Sequence, residues 1–190
     1  MDDEKFDAEL YRDANEAEFA KVDFQCEEFP VIFGNVMISM FANGGSLRIG
    51  KGVTINSAIW ANPVGGTQTC FLFKGDEAII EIGDGTGMSN VMLAAKTRIT
   101  IGKNVSLGAG MKVFDTDFHS IDLAERLADV NIPTKPVTIE DGAFIGGDVI
   151  ILKGVVIGEN SVIGAGSVVA KSVPPGEIWA GNPAKFIRKL

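Results

Sequence analysis

Residues 139–170 read IEDGAFIGGDVIILKGVVIGENSVIGAGSVVA, and a β-branched residue returns at every sixth position of this stretch. These positions are Ile139, Ile145, Ile151, Ile157, Ile163 and Val169. The residue that follows each of them is often glycine, and the residue four places on is small or β-branched. Neither a helix nor a simple alternating strand has a period of six, whereas a coil of short strands joined by tight turns does.

The same period continues less strictly toward the N-terminus. It is seen at Ile101, Leu107 and Val113, at Ile82, Met88 and Ala94, and at Ile49 and Ile55. β-Branched residues suit a buried pleated wall, and glycine permits the turn at each corner. The pattern therefore predicts an all-β fold, a parallel β-helix solenoid built of hexapeptide repeats, with an ordinary β-sandwich as the alternative.

Three segments depart from the repeat. Residues 1–28 are acidic and predict an N-terminal helix, because apolar residues recur at near-helical spacing. These residues are Phe6, Leu10, Ala14, Ala17 and Phe19. Residues 62–77 read as an insertion and residues 116–136 as a loop that leaves the wall. We expect an N-terminal extension and lead-in over residues 1–42, the solenoid over 43–174 and a C-terminal cap over 175–190.

The charge balance restricts the partners. The chain has 17 basic and 25 acidic residues, a formal net charge of −8. This argues against nucleic acid, whose binding depends on phosphate neutralisation, and against an anionic membrane surface. The acidic N-terminus does not resemble a secretory signal, and the longest apolar stretch is short of the roughly 20 residues that span a bilayer. We expect a cytoplasmic protein with no stable membrane insertion.

The loop beginning DTDFHSID, residues 115–122, contains the one histidine of the chain, His119, beside three carboxylates. An imidazole can take a proton near neutral pH, so it could deprotonate a hydroxyl or an amine that attacks an activated acyl group. Asp115 and Asp117 would suit hydrogen bonds to a polyhydroxylated acceptor. A structural histidine in a solvated acidic loop is the alternative. One histidine cannot build a three-histidine zinc site, and we expect no metal.

Taken together, the hexads, DTDFHS and the C-terminal KSVPPGEIWAGNPAKFIRKL (171–190) resemble the hexapeptide-repeat acyltransferases of the left-handed β-helix class. The resemblance covers about residues 43–190. It is strongest to sugar O-acetyltransferases of surface-polysaccharide clusters and to the galactoside and maltose acetyltransferases. It implies an acetyl-CoA-dependent homotrimer with active sites between subunits. In that family the acceptor attacks the thioester directly, and His119 matches the general base.

The resemblance also implies binding residues. The positions that match coenzyme contacts are Gly147, Ala165, Ala170, Lys171, Lys185 and Arg188. Asn90 lies near a family asparagine that contacts the acceptor sugar. Phe144 stands where the family often has tryptophan, so an indole donor is missing there. A solvated basic tail that only completes the solenoid is the alternative reading of the C-terminal cations.

Three functions are consistent with the sequence. The first is O-acetylation of a sugar or saccharide hydroxyl, with surface polysaccharide biosynthesis as the setting. The second is N-acetylation of an amino sugar or a drug-like acceptor by the same base. The third is a non-catalytic solenoid scaffold. The sequence does not separate an attacking hydroxyl from an attacking amine.

Overall fold

The computed structural model describes residues 7–190, which form three sheets wrapped into a solenoid. Sheet A contains β1 (Asp23–Cys26), β4 (Ser46–Ile49), β7 (Ile79–Ile82), β10 (Arg98–Ile101), β13 (Val137–Ile139) and β16 (Val156–Ile157). Sheet B contains β2 (Val31–Gly34), β5 (Thr54–Ser57), β8 (Gly87–Ser89), β11 (Ser106–Leu107), β14 (Phe144–Ile145), β17 (Val162–Ile163), β19 (Glu177–Gly181) and β20 (Ala184–Lys189). Sheet C contains β3 (Met37–Met40), β6 (Cys70–Phe73), β9 (Met92–Ala95), β12 (Lys112–Phe114), β15 (Ile150–Ile151) and β18 (Val168–Val169).

The chain passes through sheets A, B and C in turn, so three consecutive strands make one coil. We number the coils 1 to 6, from β1–β3 to β16–β18. The edges where the chain turns from one sheet to the next are the A–B, B–C and C–A corners. All strand pairs between coils are parallel, while β19 and β20 form an antiparallel hairpin beyond the last coil.

The predicted period of six is confirmed in coils 5 and 6, whose strands form the hexad wall. The six β-branched residues of the repeat lie on the consecutive strands β13 to β18, and each is fully buried. Strand equivalents stack between coils 5 and 6, so that Ile139 faces Ile157 and Ile145 faces Ile163. Each hexad is one side of a coil, and burying its branched residue removes apolar surface from water at every step of the chain.

Two details of the repeat differ from the prediction. In coil 3 the residue aligned with Val113 is Leu93 and not Ala94, because the B–C corner between β8 and β9 uses only two residues. The solenoid also begins before residue 43, since β1, β2 and β3 pair in parallel with coil 2. Cys26, Ile32 and Ile38 are six residues apart, but Pro30 and the missing glycines hide this first turn of the repeat.

The insertion expected at residues 62–77 is also displaced. The chain leaves the wall after β5 and returns at β6, so the connection comprises residues 58–69. Residues 70–73 belong to sheet C, where β6 pairs with β3 and β9. The apolar run Cys70–Phe73 is therefore a wall strand, which the preceding polar and glycine-rich residues obscured.

A short helix covers the first coil. After a 3₁₀ turn at Ala8–Tyr11, α1 spans Arg12–Phe19. Asn15 is buried and accepts a hydrogen bond from the Val36 N–H at 2.9 Å, while a Glu18 carboxylate oxygen accepts from the Ile38 N–H at 2.8 Å. These bonds satisfy backbone groups that would otherwise lie open at the end of the solenoid. Of the predicted helical residues, Phe19 is buried, Leu10 is exposed and Phe6 lies outside the described residues.

Across residues 7–190, no helix has the length and apolar character needed to cross a membrane.

Candidate functional site

The 115–136 loop leaves sheet C after β12 and returns to sheet A at β13. Its two ends are paired: Thr116 and Thr134 form an antiparallel bridge, and the Asp117 N–H donates to the Pro133 carbonyl at 3.1 Å. The Lys135 N–H donates to the Asp115 carbonyl at 2.8 Å. The loop therefore stands on a hydrogen-bonded stem at the C–A corner.

Asp115 anchors this stem to the neighbouring coil. It is fully buried, and one carboxylate oxygen accepts a hydrogen bond from the Lys96 N–H at 2.7 Å. The other oxygen accepts from the Thr97 N–H, the Thr97 hydroxyl and the Arg98 N–H. This placement contradicts the prediction that Asp115 contacts the acceptor, because both oxygens are used inside the fold. Backbone N–H groups of the neighbouring coil hold the carboxylate instead.

His119 follows a strained turn. Phe118 has φ of 62°, and the His119 N–H donates to the Asp117 carbonyl at 2.7 Å, which closes a γ-turn around Phe118. A left-handed φ is uncommon for a bulky residue and persists where the surroundings hold it. The Phe118 ring packs edge-on against Phe114, and the Lys74 ammonium lies 5.8 Å from its centre.

Asp117 fixes the other side of the same turn. Its carboxylate pairs with the Lys153 ammonium at 2.6 Å, and Lys153 belongs to the next coil. The turn is therefore held to the wall both at Asp117 and at Phe118. The His119 side chain is left 62% exposed, so the ring projects from an anchored base and is open to a substrate.

The carboxylate that faces His119 is Asp129. The distance from His119 Nδ1 to Asp129 Oδ1 is 3.9 Å, too long for a hydrogen bond but within ion-pair range when the ring is protonated. Asp129 has a left-handed φ of 53° at the end of α2 (Leu123–Ala128). Asp129 was not predicted as a site residue, because it is distant from His119 in the sequence and comes near the ring only through α2. No motif in the sequence marks it.

The remaining acids of the loop order its outer part. Asp122 caps α2 by accepting a hydrogen bond from the Glu125 N–H at 3.0 Å. Glu125 accepts from the Ser120 hydroxyl at 2.6 Å and from the Asn131 amide at 2.9 Å. These two hydrogen bonds stabilise the charged carboxylate and lower the pKa of Glu125. Asp122 and Glu125 are therefore engaged with the loop itself, whereas Asp115 and Asp117 are engaged with neighbouring coils.

A second region lies at the C-terminal end of the solenoid. Ala170 and Lys171, which follow β18, line a pocket of about 320 Å³ together with the β19–β20 hairpin. The hairpin residues that line it are Trp179, Pro183, Ala184, Lys185 and Phe186. Trp179 packs on the core and donates from Nε1 to Glu177 at 2.8 Å. Arg188 lies three residues after Lys185, opposite Ile178, and is not among the lining residues.

Gly147 and Ala165 lie at the B–C corner, in coils 5 and 6. They are adjacent there, since a Cβ on Gly146 would overlap the backbone of Ala165. The Gly147 carbonyl accepts from the Gly166 N–H at 2.8 Å. Asn90 lies at the same corner in coil 3 and is buried. Its amide donates to the Asn62 carbonyl at 2.8 Å, while Oδ1 has no partner among the described residues.

The candidate residues thus lie on two edges of sheet C. His119 and Asp117 stand at the C–A corner, while Gly147, Ala165 and Asn90 stand at the B–C corner. Sheet C separates the two edges. The structure brings Lys171, Lys185 and Ala170 together, but within one chain it does not bring His119 to Gly147 or Ala165. Within residues 7–190, no cluster of three or more His, Cys, Asp or Glu side chains could ligate a metal.

Comparison with known proteins identifies relatives of this solenoid. Residues 136–171 match the family described as bacterial transferase hexapeptide (six repeats). The chain is similar to the crystal structure of a hexapeptide-repeat acetyltransferase from Vibrio cholerae O1 biovar eltor, complexed with acetyl coenzyme A. The identity is 33% and the TM-score 0.57, and the match covers 74% of this chain and 72% of that chain.

The chain belongs to the hexapeptide-repeat acetyltransferase family. Among curated relatives of this hexapeptide-repeat protein, the galactoside O-acetyltransferase of Lactococcus lactis subsp. lactis is 40% identical over 111 residues. That match covers 56% of this chain and 52% of the relative. The mitochondrial gamma carbonic anhydrase 2 of Arabidopsis thaliana is 33% identical over 176 residues, 86% of this chain and 51% of the relative. The chain spans about half the length of the curated relatives it matches.

Proposed function

We propose that this hexapeptide-repeat protein transfers an acetyl group from acetyl-CoA to a hydroxyl of a sugar or saccharide, with His119 as general base. The observation that carries the proposal is the His119 side chain, exposed on a strained turn that Asp117 and Phe118 fix to the wall. A side chain that only filled the surface would not need a strained and doubly anchored backbone beneath it. The relative named galactoside O-acetyltransferase supports a sugar acceptor.

The chemistry requires one proton transfer at the imidazole. As the acceptor oxygen attacks the thioester carbonyl, His119 removes the hydroxyl proton. The tetrahedral intermediate then collapses, the carbon–sulfur bond breaks, and the coenzyme thiolate takes up the proton that the imidazolium returns. Asp129, at 3.9 Å from Nδ1, would stabilise the imidazolium while it carries the proton. No acyl-enzyme is needed.

The donor would lie at the C-terminal end and along the B–C corner. Lys171 and Lys185 line one pocket, and Arg188 is on the same strand as Lys185. Cations at this end of a net-acidic chain would bind the coenzyme phosphates. We assign the pantetheine arm to the backbone of Gly147 and Ala165 at the B–C corner and of Ala170 at the end of β18, beside the hairpin pocket. The similar V. cholerae acetyltransferase, solved with acetyl coenzyme A, supports this donor.

The position of sheet C between the two edges supports an active site shared between copies. If His119 and the B–C corner contact the same substrates, they must come from different chains, because one chain holds them on opposite edges of a sheet. A cyclic homotrimer supplies such head-to-tail contacts three times. In this arrangement Asp117 would contact the acceptor, whereas Asn90 is buried and its amide is bonded to the Asn62 carbonyl, so Asn90 would act only by holding the 58–69 insertion.

Several finer features belong to the same proposal. The coils would be left-handed, the solenoid would form the catalytic domain with residues 175–190 as its coenzyme-contacting cap, and the enzyme would work in the cytoplasm on surface-polysaccharide precursors. N-acetylation of an amino sugar is the alternative that the same base would support.

The relative named as a gamma carbonic anhydrase raises carbon dioxide hydration as a second candidate. Catalytic zinc in carbonic anhydrase is held by three histidines, and this chain supplies one. Such a site would need a histidine from each of three chains, whereas His119 stands beside Asp129 on an outward loop. We therefore favour acetyl transfer, and carbon dioxide hydration serves as the negative control.

The test is acetyl transfer from labelled acetyl-CoA into a pool of sugars, amino sugars and nucleotide sugars. We expect the wild type to form a base-labile acetyl ester. His119→Ala should lower turnover by roughly 10²–10⁴ while acetyl-CoA binding stays near the wild-type value. A base-stable amide would point to N-acetylation. An unchanged rate in His119→Ala would remove this residue as the base.

A further inference from the structure

The connection between β5 and β6 is longer than the other turns at the B–C corner. Residues 58–69 make this turn in coil 2, whereas Asn90 and Val91 alone make it in coil 3. The additional residues do not extend away from the molecule. They run along the corner in the direction of coils 3 and 4.

Four contacts, among others, fix the 58–69 insertion. The Trp60 ring stacks on Tyr11 with centroids 5.7 Å apart, and the Gln68 amide donates to the Asn35 carbonyl at 2.9 Å. The Asn62 carbonyl accepts from the Asn90 amide in coil 3. The fourth contact is at Gly65, which lies directly against coil 4.

The Gly65 contact leaves no space between insertion and wall. A Cβ on Gly65 would overlap the backbone of Ala109 and Gly110, and a Cβ on Gly110 would overlap Gly65 in return. Gly65 also has φ of 74°, which favours glycine. The insertion therefore covers the B–C corner from coil 2 to coil 4.

Coil 5 follows immediately along the same corner. β11 pairs with β14, and the Asp148 N–H donates to the Ala109 carbonyl at 2.9 Å, so Gly147 lies one strand spacing from the covered position. Coils are about 4.8 Å apart. A coenzyme arm that runs along this corner from Lys185 on the hairpin past Ala165 and Gly147 would meet the insertion at its thioester end.

We propose that the 58–69 insertion is a stop that restricts the acyl donor to short acyl groups. This inference rests on the proposed function, because it takes the coenzyme arm to lie on the B–C corner. An acetyl group ends before the backbone at Gly65, whereas a hexanoyl chain would continue into the space that the insertion fills. Asn90 contributes by holding the insertion to coil 3 through the Asn62 carbonyl.

The inference predicts a steep dependence on acyl length. We expect the wild type to use acetyl-CoA better than hexanoyl-CoA by roughly 10–200-fold or more in kcat/KM, the discrimination that a single methylene gives in a closed pocket. Propionyl-CoA and butyryl-CoA should fall in between.

Gly65→Ala tests the contact itself. Its methyl group would collide with the backbone at Ala109 and lift the insertion from the corner, so the preference for acetyl-CoA should fall by about tenfold or more. Gly66→Ala is the matched control. Gly66 also has a positive φ, 110°, but a Cβ there would meet only Asn90, at ordinary contact distances of 3.9 Å from its Cβ and 4.0 Å from its carbonyl oxygen. This control should keep the wild-type length preference.

A second variant removes the insertion. Replacing residues 58–69 by Asn-Val copies the turn that the chain itself uses at Asn90 and Val91, and thermal unfolding would establish that the variant folds. The inference is supported if the preference for acetyl-CoA falls in Gly65→Ala or in this variant and persists in Gly66→Ala. It is overturned if wild type uses hexanoyl-CoA equally well, if both folded variants keep the preference, or if Gly66→Ala loses it equally.

Calorimetric binding of acetyl-CoA and hexanoyl-CoA separates this inference from the proposed function. Failure to bind either donor would defeat the proposed function itself. Equal binding of the two donors by a wild type that transfers acetyl would defeat only the acyl-length stop.

Discussion

The hexad wall and the 115–136 loop are consecutive in the chain, yet they are stabilised by different kinds of interaction. In the wall, each strand carries a buried branched residue that stacks on its equivalent in the next coil. The loop uses single polar interactions, chiefly the buried Asp115 carboxylate and the Asp117–Lys153 pair. Truncating one wall residue should therefore lower the free energy of unfolding through lost packing. Removing one polar side chain of the loop should instead disturb the local conformation that this side chain holds.

The largest effect on stability is expected in the wall. Ile145→Ala should lower the free energy of unfolding by about 2–5 kcal/mol, because it leaves a cavity among fully buried neighbours. Phe144→Ala is the control on the same strand, since Phe144 is 52% exposed and its loss should cost about 0.5 kcal/mol. Chemical denaturation measures both values. Equal losses would contradict the assignment of the inward face.

The stem of the loop should show an intermediate effect. Asp115→Ala leaves the donors of Lys96, Thr97 and Arg98 without their acceptor and should cost on the order of 3 kcal/mol. Asp117→Ala breaks a partly exposed ion pair and should cost about 1 kcal/mol or less, while lowering activity through the His119 turn. Denaturation and turnover on both variants test this contrast. A stability loss in Asp117→Ala as large as that in Asp115→Ala would contradict it.

The smallest effect concerns the C-terminal pocket. Lys185→Ala should raise the KM for acetyl-CoA by roughly tenfold at low salt, because a charge-assisted contact to phosphate is lost, and added salt should reduce the difference. Lys189→Ala is the control, since Lys189 is exposed and does not line the pocket. Steady-state kinetics at two ionic strengths would distinguish them. An unchanged KM in Lys185→Ala would indicate that the hairpin only covers the end of the solenoid.

The different predictability of the two regions follows from the same physics. The hexad wall could be predicted from the sequence because Ile139, Ile145 and Ile151 occupy equivalent buried positions, so the same pattern recurs several times. The first coil escaped detection because Cys26, Ile32 and Ile38 keep the spacing without the glycines. The roles of Asp115 and Asp129 could not be predicted from the sequence, since each depends on contacts with residues that are distant along the chain. Sequence proximity to His119 favoured Asp115, but folding turns Asp115 inward and brings Asp129 toward the ring.

The central claim is that His119 and the B–C corner act on the same substrates from different chains. Co-expression of two inactive chains tests it most directly, one with His119→Ala and one with Ala165→Trp, which blocks the corner at an exposed position. Random assembly of a cyclic trimer would leave about a quarter of the shared sites with both parts intact. We predict that activity returns to about that fraction of wild type, since each intact site joins two chains. Activity no greater than the sum of the two variants assayed alone would contradict a site shared between copies.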